Sequence, residues 1–101
     1  MIFKEVIGKG IALTTIVDEQ ISIRVRKGGE RICLEKKRPS QKLKNILQEI
    51  AMPPWERERL PLIYVNERLV CIPNIGCDVD FACMPDAKGL VIEWIPMMFN
   101  W

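Results

Sequence analysis

The chain has 101 residues, 49% of them hydrophobic and 28% charged, with a net charge of +2. That is the length of one domain, residues 1–101, and the balance of a globular protein rather than a disordered one. No apolar run approaches the roughly 20 residues that cross a bilayer, and no basic segment leads an apolar one to a small-residue cleavage site, so neither a membrane span nor a secretory leader is expected, and the expected compartment is the cytoplasm.

In chain order, Met1 to Gly10 is weakly patterned and reads as a lead-in, with Gly8 and Gly10 marking a turn. Ile11 to Val17 is rich in β-branched residues and reads as a strand closed by Asp18 and Glu19. Ile21, Ile23 and Val25 alternate with Ser22, Arg24 and Arg26, which predicts a second strand with one buried and one wet face. The two strands can pair as a hairpin. Lys27-Gly28-Gly29-Glu30 is a turn, because paired glycines permit positive φ and close backbone approach. Arg31 to Leu34 resumes a strand.

Lys36-Lys37-Arg38 is a basic loop, and Ser40 behind Pro39 is placed to cap a helix. Leu43, Ile46, Leu47 and Ile50 fall at i, i+3, i+4 and i+7, predicting an amphipathic helix from Ser40 to Ile50. Its first amides and dipole would favour an anion beside the loop cations. Pro53 and Pro54 are expected to end it, Pro54 opening a short helical turn from Trp55 to Arg59. Trp55 reads as a hydrophobic plug under the proline break rather than a stacking platform for a base.

Leu62 to Val65 and Leu69 to Ile72 form a hairpin about Asn66-Glu67. Pro73 to Gly76 is a loop with a positive-φ glycine, residues 77–88 are mixed and acidic with a turn at Pro85-Asp86, and Leu90 to Trp94 is the closing strand. Residues 95–101 form an apolar tail. The expected fold is α+β: a small mixed-β, sandwich-like sheet with one main amphipathic helix and a short helical turn. A single core is expected to hold Leu43, Ile46, Leu47, Ile50, Ile63, Val70 and Ile72.

No catalytic constellation is present. The chain has no histidine, and no serine or cysteine stands beside a candidate base in a known motif. Cys33, Cys71, Cys77 and Cys83 lack the two-residue spacing of zinc knuckles and read as structural thiols. Asp78 and Asp80 are near enough to share a metal, but no third ligand is suitably spaced, so no metal ligand is assigned. Gly28-Gly29 is no phosphate loop, lacking the Lys-Ser/Thr and helix that would follow.

The charge is uneven. Residues 21–60 hold eleven lysines and arginines against five acids, while residues 61–101 hold two against five. Such a basic half is either a solvated face or a surface for a polyanion. The candidate polyanion-binding cations are Arg24, Arg31, Lys36, Lys37, Arg38, Lys42, Lys44, Arg57 and Arg59.

The series Lys42-Leu43-Lys44-x-x-Leu47-Gln48-Glu49, followed by Pro53-Pro54-Trp55-x-Arg57-x-x-x-Pro61-Leu62-Ile63-Tyr64, resembles the C-terminal domain of bacterial tRNA(Ile)-lysidine synthetases. Upstream, Arg24-x-Arg26-Lys27-Gly28-Gly29-Glu30-Arg31 fits the same family, and the resemblance runs from near residue 20 to Trp94. One departure is the shortened approach to the helix, Lys36-Lys37-Arg38-Pro39. The resemblance implies that the nine candidate cations bind RNA, in a compact unit that grips the body and acceptor stem of tRNA(Ile) while a larger cytoplasmic ligase attaches lysine to the wobble cytidine. ATP and magnesium would belong to that ligase's N-terminal domain, whose Ser-Gly-Gly-x-Asp-Ser signature is missing here. The chain is therefore expected to be an excised domain, or a much reduced relative, without catalysis or a cofactor of its own. Its expected partners are tRNA(Ile) and the remaining domains of the ligase, with no membrane and no DNA. The alternative is an interdomain or protein-interaction module, docking through Trp55 and the apolar tail, in which the cations only solubilise.

Overall fold

The described chain makes three antiparallel sheets, and much of their pairing joins segments distant in sequence. A computed structural model describes residues 1–95. Strands β1 (Ile2–Ile7) and β2 (Ile11–Ala12) precede a 3-10 turn at Leu13–Thr15. Strands β3 (Ile21–Arg24), β4 (Arg31–Ile32) and β5 (Gln41–Lys42) lead into helix α1 (Leu43–Glu49) and the short helix α2 (Pro54–Arg57). Strands β6 (Leu62–Val65), β7 (Arg68–Ile72), β8 (Gly76–Cys77) and β9 (Lys88–Glu93) follow. The sheets run β1-β9-β2, β3-β6-β7-β8 and β4-β5. The tail read at 95–101 lies, from residue 96 onward, outside the described residues.

The lead-in is itself a strand: β1 pairs antiparallel with β9 from Ile2 opposite Glu93 to Ile7 opposite Lys88. The other side of β9 takes β2, Ile11 opposite Leu90. Glycine is required at this crossing, since a Cβ on Gly89 would fall on the carbonyl oxygen of Lys9, and one on Gly10 on that of Leu90. The strand expected from Ile11 to Val17 stops at Ala12, where the chain enters the 3-10 turn and Thr15 Oγ1 donates to the Ala12 carbonyl at 2.6 Å. The hairpin considered for these segments does not form, because β2 pairs with β9 while β3 pairs with β6 in the other sheet.

The four-stranded sheet divides the interior in two. On the α1 side lie Ile32, Leu43, Ile46, Leu47, Leu60, Leu62, Leu69 and Ile72. On the side of β2 and β9 lie Ile11, Ile63, Val65, Val70, Cys71 and Ile92. The single expected core is thus two, and burial on both faces explains why β6 and β7 read as continuous apolar runs rather than alternating ones. The Asn66-Glu67 hairpin forms as expected, with Asn66 in the left-handed region at φ 55°. In the next turn the positive φ belongs to Asn74, while Gly76 opens β8.

Helix α1 buries Leu43, Ile46 and Leu47 as its periodicity requires, but both predicted ends move. Ser40 does not cap it: Gln41 and Lys42 are extended, pairing with Ile32 and Arg31, and the N-cap is Lys42 without a side-chain bond. The stop comes before the prolines. Ala51 N–H donates to Gln48 (3.1 Å) and Met52 N–H to Leu47 (3.0 Å), with Ala51 left-handed at φ 56°. That is a Schellman closure with alanine where glycine usually stands. Ile50, at the C-cap, leaves the buried stripe and is 49% exposed, so it is not a core residue. The helical turn opened by Pro54 is present as α2, where Trp55 is 64% exposed, so the plug reading fails.

Candidate nucleic-acid interface

The two-residue ladder between β4 and β5 sets Arg31 directly across from Lys42. Ser40 then fixes the guanidinium: Arg31 Nε donates to Ser40 Oγ (3.1 Å) and an Nη to the Ser40 carbonyl (2.8 Å). With Lys44 from the first turn of α1, these side chains line a concavity of about 400 Å³, shared with Ser40, Gln41, Asn45 and Glu49. Neither Arg31, Lys42 nor Lys44 makes a salt bridge among the described residues. Three cations of different reach therefore surround one hollow, with only Glu49 as a lining carboxylate.

A smaller hollow of about 220 Å³ adjoins it, sharing Gln41 and Glu49 and bordered by Arg38. Arg38 is partly neutralised by Glu35 (Nε to Oε2, 3.2 Å). Lys36 and Lys37 precede it on the same exposed loop. The helix N-terminus adds less than its sequence suggests, because Leu43 N–H is already bonded to the Glu30 carbonyl at 2.9 Å.

Arg24 is employed within the fold. Its guanidinium forks onto Glu67 (3.0 and 3.1 Å), bonds Asn66 O and Ser22 Oγ, and lies 4.4 Å from the centroid of the Tyr64 ring. The hydrogen bond from Arg24 holds the Glu67 carboxyl below its ordinary range. Burial, the larger influence, keeps the Tyr64 hydroxyl above its own. Arg57 is half-buried, its Nε donating to the Met52 carbonyl at 2.7 Å behind α1. Arg59 is exposed beyond α2. The nine candidates are thus not one set. Arg31, Lys42 and Lys44 share a hollow, Arg38 borders the next, and Arg24 and Arg57 brace the structure.

The Gly28-Gly29 turn is held from below by its own acid. Glu30 accepts the amides of Lys27 (2.7 Å) and Gly28 (3.1 Å), and both glycines have positive φ with open space where a Cβ would be. Burial pushes the Glu30 carboxyl up, but these bonds and the charge of Arg26 together leave it below its ordinary value. An amide already given to a carboxylate is not available to cradle a phosphate, so the turn does not fit a nucleotide loop. Asp78 and Asp80 likewise have a partner: Arg68 reaches both, at 3.0 and 2.6 Å, and Asp78 also accepts the amides of Cys33 and Asp80. Through Cys33 this buried carboxylate pins the segment that follows β4.

Sequence reasoning missed Ser40 as the clamp on Arg31, and Asn45 and Glu49 as walls of the hollow. Nothing in the sequence signalled the first, because Ser-x-x before an apolar run is a helix-cap pattern and the Gln41-Lys42 strand that overrides it depends on β4.

Comparison with known proteins shows the family. Residues 21–94 match the family described as the TilS substrate C-terminal domain. The tRNA(Ile)-lysidine synthase of Nitrosomonas europaea is 41% identical over 91 residues, 90% of this chain and 20% of that protein. That of Ralstonia nicotianae is 41% identical over 81 residues, 80% of this chain and 17% of that protein. That of Legionella pneumophila is 49% identical over 55 residues, 54% of this chain and 12% of that protein. This chain spans at most about a fifth of the length of these relatives. With the family pattern covering most of its residues, the chain belongs to the TilS C-terminal domain family.

Proposed function

We propose that this domain binds tRNA for a tRNA(Ile)-lysidine-forming ligase, gripping the tRNA body and acceptor stem while chemistry occurs in another domain. The observation that carries the reading is the hollow where Arg31, Lys42 and Lys44 meet without a salt-bridge partner among the described residues. An A-form stem presents phosphates and 2′-hydroxyls across a shallow minor groove, and cations on a fixed scaffold read that shape. Arg31, held in place by Ser40, can fork to a phosphate, whereas Lys42 and Lys44 act as point charges. Lys36, Lys37 and Arg38 extend the basic surface, Arg59 adds to it beyond α2, and Arg24 and Arg57 support it from within. On this reading ATP and magnesium serve the ligase elsewhere, the setting is the cytoplasm, and this chain alone attaches no lysine. Mobility shift with tRNA(Ile), against heparin as a polyanion without RNA shape, tests it. A preference for tRNA that persists as salt rises supports RNA recognition, and equal loss of both ligands refutes it.

A second reading is that the domain docks onto protein. It is favoured by Ile21, Ile23 and Val25, each 45–57% exposed along the outer edge of the four-stranded sheet, and by Trp55. Unchanged tRNA affinity after removal of the hollow's cations would favour this reading.

A further inference from the structure

We propose that Cys71 and Cys77 are a redox-active pair that closes to a reversible disulfide when a hydroperoxide reaches the cleft they line. The proposal is independent of the RNA reading. The two residues are Cα partners across β7 and β8, and their Sγ atoms stand 3.2 Å apart. Asp78 N–H donates to the Val70 carbonyl at 2.8 Å, which makes Val70 and Asp78 the hydrogen-bonded pair of this ladder and Cys71 and Cys77 the adjacent non-hydrogen-bonded pair. Such pairs have Cα atoms about 4.5 Å apart with side chains drawn together, within the roughly 4.4–6.8 Å span a disulfide requires. Closure needs little more than approach of the sulfurs.

Access and selectivity come from the surroundings. Both residues line a cleft of about 670 Å³ between β9 and the β7-β8 hairpin, and Cys77 is only half-buried. The other two thiols direct their S–H groups to backbone carbonyls: Cys33 to Glu35 and Arg38, both at 3.2 Å, and Cys83 to Met84 and Ala87 at 3.3 and 3.2 Å. In the pair, the contact between the two thiols lowers Cys77 and, with burial, raises Cys71. Cys77, half-buried where Cys71 is only 4% exposed, is the sulfur a hydroperoxide meets first, so it attacks and Cys71 resolves.

The steps balance. The Cys77 thiolate attacks one oxygen of the hydroperoxide, the O–O bond breaks, and a sulfenic acid forms as the other oxygen leaves and takes up a proton. Cys71 sulfur then displaces hydroxide from Cys77 sulfur, its thiol proton leaving with that hydroxide as water. Two thiols lose two electrons in all, and the peroxide gains them.

The test uses the purified chain treated with hydrogen peroxide, alkylated, and cleaved at lysine and arginine and then before aspartate. Cleavage after Arg68 and before Asp78 releases the peptide from Leu69 to Cys77, which holds both thiols of the pair and excludes Cys83. The expected result is that peptide two hydrogens lighter and unalkylated, restored to two alkylated cysteines by dithiothreitol, with Cys33 and Cys83 still alkylated. Cys77→Ser should abolish the mass loss, and Cys83→Ser should leave it intact. Full alkylation of both thiols after peroxide, or their conversion to sulfinic acid without the linked peptide, would overturn the proposal.

Discussion

Replacing Asp78 with alanine should destabilise the fold by about 2–4 kcal/mol, although no part of the proposed RNA surface is touched. Asp78 is 4% exposed and accepts the amides of Cys33 (3.3 Å) and Asp80 (2.9 Å) together with an Arg68 Nη (3.0 Å). Both amides are only part-buried, so each one left without an acceptor costs towards the low end of about 1–3 kcal/mol. The ion pair adds about 1 kcal/mol at most, because Arg68 is half in solvent and keeps Asp80. Urea unfolding followed by circular dichroism reads the sum. With a slope of about 1–3 kcal/mol per molar, the midpoint should fall by roughly 1–3 M. Asp78→Asn, which retains one acceptor oxygen, should fall between. If Asp78→Ala stays within about 0.5 kcal/mol of the parent, the anchoring of the segment behind β4 has been misread.

Three further outcomes follow from the backbone and its charges. Ala51→Gly should raise the melting temperature by a few degrees: relief of a left-handed alanine, about 1–2 kcal/mol, exceeds the added freedom of the unfolded chain, about 0.4–1 kcal/mol. A calorimetric decrease would show that the Schellman closure does not hold. Gly89→Ala should cost more than about 1–3 kcal/mol, since its Cβ meets the Lys9 backbone rather than a yielding side chain, and a chemical-denaturation midpoint unchanged from the parent would contradict the β1-β9-β2 crossing. Glu30, with its folded-state pKa depressed, contributes stability that is present above its ordinary value of 4.5 and lost as pH falls through the lower folded value. Glu30→Gln should flatten the stability profile in that acid window, and an identical profile would exclude the turn's carboxylate as a contributor.

Where local pattern and burial coincide, the sequence was legible. The stripe Leu43, Ile46 and Leu47, the Asn66-Glu67 hairpin and the closing strand all follow from their own residues. What escaped was set by distant partners. β1 has mostly exposed side chains and exists because β9 offers it a full ladder. Alternation in β3 was visible, but its sense was inverted: Ile21 and Ile23 face outward on an edge strand, while Arg24 turns in to Tyr64 and Glu67. Ser40 read as a helix cap, but pairing of Gln41-Lys42 with β4 makes it a clamp on Arg31. The site was legible as composition and not as geometry. Nine cations could be named from charge and resemblance, but which of them share a hollow depends on the β4-β5 ladder.

The central claim is that Arg31, Lys42 and Lys44 together engage tRNA phosphates. The most direct measurement is the dependence of tRNA(Ile) affinity on salt for the parent chain and for the triple variant Arg31→Ala, Lys42→Ala and Lys44→Ala, with folding of the variant verified by its melt. Each neutralised phosphate contributes somewhat under one unit to the slope of log affinity against log salt, so removing all three cations should flatten the slope by about 2–3 units and weaken binding at low salt. A folded triple variant that binds tRNA(Ile) with the parent's affinity and slope would contradict the account.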